Sequence, residues 1–186
     1  AAAMSEPGQD LTRPATTDYT LTPRLEGDLL TFPSAYTTPH RENNTVYARY
    51  FPAKASGLRS QRDMASFGQA RRSAEGAEAA AERPKAGQAA VLVLPQWNST
   101  ADGHIGLSKL LAWSGMSALR LSLPYHDWRM PPELHRADYI VSANVARTVQ
   151  VCRQAVLDAR RAIAWLAARG YERIGILGSS LGSCLA

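Results

Sequence analysis

Gly178, Ser180 and Gly182 form a Gly-x-Ser-x-Gly pentapeptide with Ser179 and Leu181 between them. The chemistry such a spacing serves is nucleophilic attack on a carbonyl carbon by a serine hydroxyl lifted on a sharp turn from strand to helix. Residues two before and two after the serine approach each other so closely that side chains there would collide, which reserves both places for glycine. A following helix turns its amino end toward the serine, so the Leu181 N–H can hold the oxyanion of an acyl-transfer intermediate. Chance would produce the pentapeptide about 0.07 times in a chain of this length. The competing reading is a Gly/Ser-rich turn that only connects strand to helix. A phosphate-binding loop lacks its Lys here, and Gly175, Gly178 and Gly182 stand three and four apart, unlike a dinucleotide fingerprint.

The elements flanking the pentapeptide have the periods this context requires. Arg173 to Leu177 reads as a buried strand, preceded by a long helix whose stripe Val145, Val149, Cys152, Val156, Ala159, Ile163 and Leu166 is expected to face the core. Gly170 ends that helix. Upstream, Val91 to Leu94 and Ala118 to Leu123 read as strands that stop at Pro95 and Pro124, and Gly106 to Trp113 as a short helix closed by Gly115. Between the second of these strands and the long helix lies a proline-bounded loop, Tyr125 to Pro132. Residues 89–186 thus form an α/β core running through the turn at Ser180. Residues 27–54 read as an antiparallel hairpin, with strands at 28–32 and 44–51. Residues 1–26 read as a disordered lead-in. Residues 55–88, dominated by Ala, Arg, Glu, Gly and Gln, read as a low-complexity surface insertion with too little apolar surface to offset ordering.

Composition excludes several classes. Of 186 residues, 45% are hydrophobic and 20% charged, and 21 Lys plus Arg face 16 Asp plus Glu. The basic residues are spread along the chain, so no nucleic-acid footprint is expected. Apolar runs of five or six residues fall far short of the roughly 20 a membrane-spanning helix needs. Cys152 and Cys184 fit neither a metal spacing nor a disulfide framework and are expected to be reduced and buried; neither a metal nor a cofactor is expected. Residues 1–14 do not read as a secretory signal, which points to the cytoplasm. The sequons at Asn43 and Asn98 are read as chance.

Residues 89–186 resemble the first half of an alpha/beta hydrolase. The runs Leu94-Pro95-Gln96-Trp97-Asn98 and Leu123 to Pro131, with the Gly178 to Gly182 turn, are similar to those of bacterial dienelactone-hydrolase-like or prolyl-oligopeptidase-like members. The resemblance implies a three-layer α/β sandwich with a mostly parallel sheet, Ser180 as nucleophile, and a second oxyanion donor in the backbone of Gln96 and Trp97. Many relatives carry His-Gly where Pro95-Gln96 stands here. It also implies a triad in the order Ser, Asp or Glu, His, whereas six residues follow Ser180 in this sequence. Three further strand–helix units would need on the order of 80 to 100 more residues, so the chain is expected to be a fragment, truncated after the elbow and inactive alone.

The function so implied is that of a serine hydrolase acting on a small-molecule ester, thioester or lactone through a covalent acyl-enzyme. The alternatives are a catalytically silent scaffold of the same fold, or a nucleotide-binding domain. His126 is weighed as a base, as a pocket wall that binds substrate, or as a structural hydrogen-bonder; Trp97 as a wall of the acyl pocket or as core packing. Nothing places His40, His104 or His135 near Ser180.

Overall fold

The computed structural model describes residues 22–53, 84 and 87–186. Short alternating segments make its strands. In β2 (Leu29–Pro33) Leu30 and Phe32 are buried, and in β3 (Thr45–Phe51) Val46, Ala48 and Tyr50 are, one side of the pleat in each case. β2 pairs antiparallel with β3, and β1 (Arg24–Glu26) adds to the free edge of β2. β1 corrects the sequence reading, in which residues up to 26 were part of a loose lead-in. Its three residues carry no apolar period, and pairing with β2 is what makes them a strand. Residues 1–21 of the lead-in, and the insertion apart from Pro84, Gly87 and Gln88, lie outside the described residues.

β4 (Ala89–Leu94), β5 (Ser117–Leu121) and β6 (Arg173–Gly178) complete a six-stranded sheet in the order β1-β2-β3-β5-β4-β6. β4 pairs parallel with both β5 and β6, and β3 antiparallel with β5. Following these pairings, β2, β4, β5 and β6 run one way and β1 and β3 the other. The alternation along β4 serves two cores. Leu92 and Leu94 pack with Ala155, Ala159, Ala162 and Leu166 of α2 (Val145–Ala168) on one face. Val91 and Val93 pack with Leu107, Leu111 and Ala112 of α1 (Ile105–Trp113) on the other. Two helical layers therefore enclose the sheet. Each fully buried leucine, such as Leu92 or Leu166, contributes about 1.5–3 kcal/mol.

Chain reversals follow their residue types. Gly115 and Gly170, at φ 92° and 102°, take the left-handed conformation that ends α1 and α2, and Asn144 caps α2 by accepting the Arg147 N–H at 3.1 Å. The buried face of α2 differs from the expected stripe. Val145 and Val149 are 71% and 60% exposed, and the face turned inward carries Val151, Gln154, Ala155, Asp158, Ala159, Ala162 and Leu166. Gln154 and Asp158 rotate the helix because partners in the loops saturate them, a compensation the apolar period does not contain. Cys152 is half-buried and Cys184 exposed, so the expectation of buried thiols fails for Cys184. Among the described residues no helix is long and apolar enough to cross a membrane.

Candidate active site at the strand-to-helix elbow

β6 ends at Gly178, and α3 (Leu181–Leu185) begins three residues later. Ser180 sits between them at φ 50° and ψ −115°, a left-handed backbone that costs a non-glycine residue on the order of 1–3 kcal/mol. The surroundings hold it there. The Ser179 N–H donates to the Leu94 carbonyl at 3.0 Å, the Gly182 N–H to the Ser179 carbonyl at 2.9 Å, and the Ser183 N–H to the Ser180 carbonyl at 2.9 Å. Ser183 Oγ donates to the same Ser180 carbonyl at 2.5 Å. Ser180 itself is exposed.

Both glycines are sterically required. A Cβ on Gly178 would overlap the Gly182 carbonyl, and one on Gly182 would overlap the backbone at Leu94 and Pro95. The elbow thus rests directly on the end of β4, with backbone against backbone. We expect Gly182→Ala to cost about 1–3 kcal/mol, because no flexible side chain is present to yield. A denaturation midpoint unchanged from wild type would contradict this packing.

The segment after β4 lies beside the elbow. Pro95 is buried and Gln96 exposed, and the half-buried Trp97 packs in the same cluster as Leu181. Asn98 takes φ 56°. As the first residue of α3, Leu181 has an N–H with no helical acceptor. The Gln96 and Trp97 N–H groups donate to no backbone acceptor among the described residues. The loop is held by its other atoms. Trp97 Nε1 donates to the Ala137 carbonyl at 3.0 Å, the Ala137 N–H donates to Asn98 Oδ1 at 3.1 Å, and the Arg136 guanidinium lies 4.5 Å from the centroid of the Trp97 ring. Trp97 therefore serves packing and loop anchoring together.

His126 has no exposed surface, which corrects its reading as a substrate-binding or basic residue. Nδ1 lies 2.8 Å from the Pro124 carbonyl, and Nε2 accepts the Asn98 N–H at 2.9 Å, so both nitrogens are spent. Of the readings weighed from sequence, the structural hydrogen-bonder is the one the geometry matches. Burial pushes its pKa below the ordinary 6.5, with the Pro124 carbonyl and Asp127 opposing and Arg120 and Arg129 reinforcing. The unfolded chain therefore binds the proton first as pH falls. The histidine's contribution to stability is complete above about pH 6.5 and declines below it, by at most about 1.4 kcal/mol per pH unit. His104, also lowered by burial, adds a loss of the same sign. We expect the stability of wild type to fall from pH 7 to pH 5 more steeply than that of His126→Gln. Parallel pH profiles would contradict this.

The loop bearing His126 is fixed by two buried ion pairs. Arg120 and Asp127 meet at 2.7 Å, with Ser122 Oγ donating to the same carboxylate oxygen at 2.8 Å. Arg129 and Asp158 meet at 2.8 Å, and Arg129 also donates to the carbonyls of Ser122 at 3.0 Å and Asn43 at 2.9 Å. Asp158 further accepts Ser34 Oγ at 3.0 Å and the Ala35 N–H at 2.8 Å. Sequence reasoning missed Arg129, Asp158 and Asn43 because their partners lie far along the chain, and Arg120 because its partner Asp127 stands in an irregular loop with no period to place it. Asp127 answers Arg120 and is no member of a histidine pair.

The other histidines stand elsewhere. His40 contacts Glu133 at 3.2 Å and the Tyr125 hydroxyl at 3.2 Å, His104 precedes α1 in a left-handed conformation, and His135 is exposed. Among the described residues no three His, Cys, Asp or Glu side chains come together as a metal site.

No family model and no curated protein matches the sequence. Among solved structures, the fold is similar to an acetyl xylan esterase from Paenibacillus sp. R4, with a TM-score of 0.52 and 16% identity over 89% of this chain and 47% of that one. A cold-adapted esterase from an Arctic intertidal metagenomic library, in a PEG-bound complex, gives a TM-score of 0.45 and 16% identity over 88% of this chain and 56% of its own. The chain spans about half the length of these structures. Its architecture, a mixed and mostly one-directional sheet between two helical layers with the elbow at the end of β6, is an alpha/beta-hydrolase-like fold.

Proposed function

We propose that the protein is a serine hydrolase of ester, thioester or lactone bonds, of the dienelactone-hydrolase-like or prolyl-oligopeptidase-like kind, with Ser180 as nucleophile. The observation that carries this reading is the backbone of Ser180, exposed and held at φ 50° and ψ −115° between two glycines that admit no side chain. Strain of this kind persists only where surrounding structure over-determines it, and it concentrates at reactive centres. The solved structure of similar fold is that of an acetyl xylan esterase, which supports ester chemistry.

In the proposed reaction Ser180 Oγ attacks the acyl carbon while its proton passes to a general base. The carbonyl oxygen takes up the electron pair and is held by the N–H groups of Leu181 and of Gln96 or Trp97. The C–O bond of an ester or lactone, or the C–S bond of a thioester, then breaks, the alcohol or thiol group so released (still joined to the acyl chain in a lactone) takes the proton, and water repeats the sequence to release the acid and free Ser180. His126 cannot serve as the base, because Nδ1 is spent on the Pro124 carbonyl and Nε2 on Asn98. The test is acid quenching of the full-length gene product during turnover of p-nitrophenyl acetate, followed by mass spectrometry. The expected result is an acetyl group on Ser180. An ester cleaved with no acyl adduct, or no cleavage of p-nitrophenyl esters, acyl thioesters or lactones, would overturn the reading.

A further inference from the structure

We propose that His126 is the positioning residue of this acyl site: its Nε2 holds the Asn98 N–H, and through it the Gln96 and Trp97 peptides, in register with the elbow. The inference rests on the serine-hydrolase reading and adds to it a residue that never touches substrate.

One tautomer is imposed on the ring. The Pro124 carbonyl can only accept, so Nδ1 carries the proton, and Nε2 is left as the acceptor that the Asn98 N–H requires. Asn98 needs such a hold. At φ 56° it lies in the left-handed region, and its side-chain carbonyl is taken by the Ala137 N–H while Trp97 Nε1 donates to the Ala137 carbonyl. The peptide from 97 to 98 is thereby gripped through the Asn98 N–H, the Asn98 side chain and the Trp97 ring. These grips leave free the two N–H groups, at Gln96 and Trp97, that an oxyanion would use.

The imidazole is itself immobilised. Its neighbours Tyr125 and Asp127 both adopt positive φ, at 62° and 50°. The Tyr125 N–H donates to Asn43 Oδ1 at 3.1 Å, and Asp127 is locked to Arg120. The charged groups that face the ring are Asp127, Arg120 and Arg129, and burial keeps the ring neutral, as an acceptor at Nε2 requires. A displacement of donors by about 1 Å costs on the order of 10²-fold in rate.

Two variants separate positioning from packing. In His126→Gln the side-chain carbonyl reaches the Nε2 position and can accept the Asn98 N–H. In His126→Asn the side-chain amide can donate to the Pro124 carbonyl but leaves Asn98 without an acceptor. Using the full-length gene product, the rate of fluorophosphonate labelling and kcat for p-nitrophenyl acetate are compared with the melting temperature of each variant. We expect His126→Asn to lose about 10- to 100-fold in both rates with KM little changed, and His126→Gln to restore most of the loss at a similar melting temperature. Wild type that labels while His126→Asn labels equally fast would overturn the positioning role. So would equal losses in both variants that track melting temperature. Wild type that fails to label at all would instead overturn the serine reading beneath it.

Discussion

With Ser180 as the proposed nucleophile, Ser180→Ala is expected to reduce ester turnover by on the order of a million-fold, the loss expected when a covalent nucleophile is removed and only binding and oxyanion donors remain. Ser179→Ala and Ser183→Ala are the controls, and both retain turnover to within about tenfold. The contrast has a structural basis. Ser183 Oγ donates to the Ser180 carbonyl, so its loss removes one local hydrogen bond but neither the glycine packing nor the backbone bonds of the turn. Only residue 180 occupies the left-handed position at the apex. Initial rates on p-nitrophenyl acetate with the full-length gene product check this, and a Ser180→Ala protein with rates near wild type would refute it.

Arg129→Met destabilises the fold by about 3–5 kcal/mol, because it leaves the Asp158 carboxylate buried without its counter-ion. Asp158 retains Ser34 Oγ and the Ala35 N–H, but neither carries charge. The same substitution frees the carbonyls of Ser122 and Asn43, so the loop from Tyr125 to Arg129 loses the Arg129 tie to α2 and one of its ties to the segment before β3. Pairing Arg129→Met with Asp158→Asn removes the stranded charge, and the double variant is expected to be less destabilised than the sum of the two singles. Urea denaturation measures this. A cost below about 1 kcal/mol, the range of exposed pairs, would contradict the account.

What could be read from sequence is what local sterics and short periods encode. The glycines at 178 and 182 announce their close approach by their spacing alone, and Gly115 and Gly170 announce helix ends. β3 shows in the alternation of Val46, Ala48 and Tyr50, and β4 in its run of Val and Leu. The illegible part is non-local. β1 exists only because β2 offers an edge three residues away in chain but across a turn at Gly27. The phase of α2 is not legible from its period because Gln154 and Asp158 look solvent-facing until Asn43, Ser34 and Arg129 are placed around them. His126 reads as a candidate base because it follows a strand whose carboxyl end should share a rim with Ser180. In the fold the aspartate turns to Arg120 and the histidine to Asn98, 28 residues upstream.

In the proposed function the chemistry lies at one backbone kink, supported by the loops beneath it. The most direct measurement is reaction of the full-length gene product with a fluorophosphonate, followed by digestion and mass mapping of the adduct. The account predicts one phosphonylated residue, Ser180, in folded protein and none after denaturation. An adduct on another serine, or folded protein that takes up no label, would contradict it.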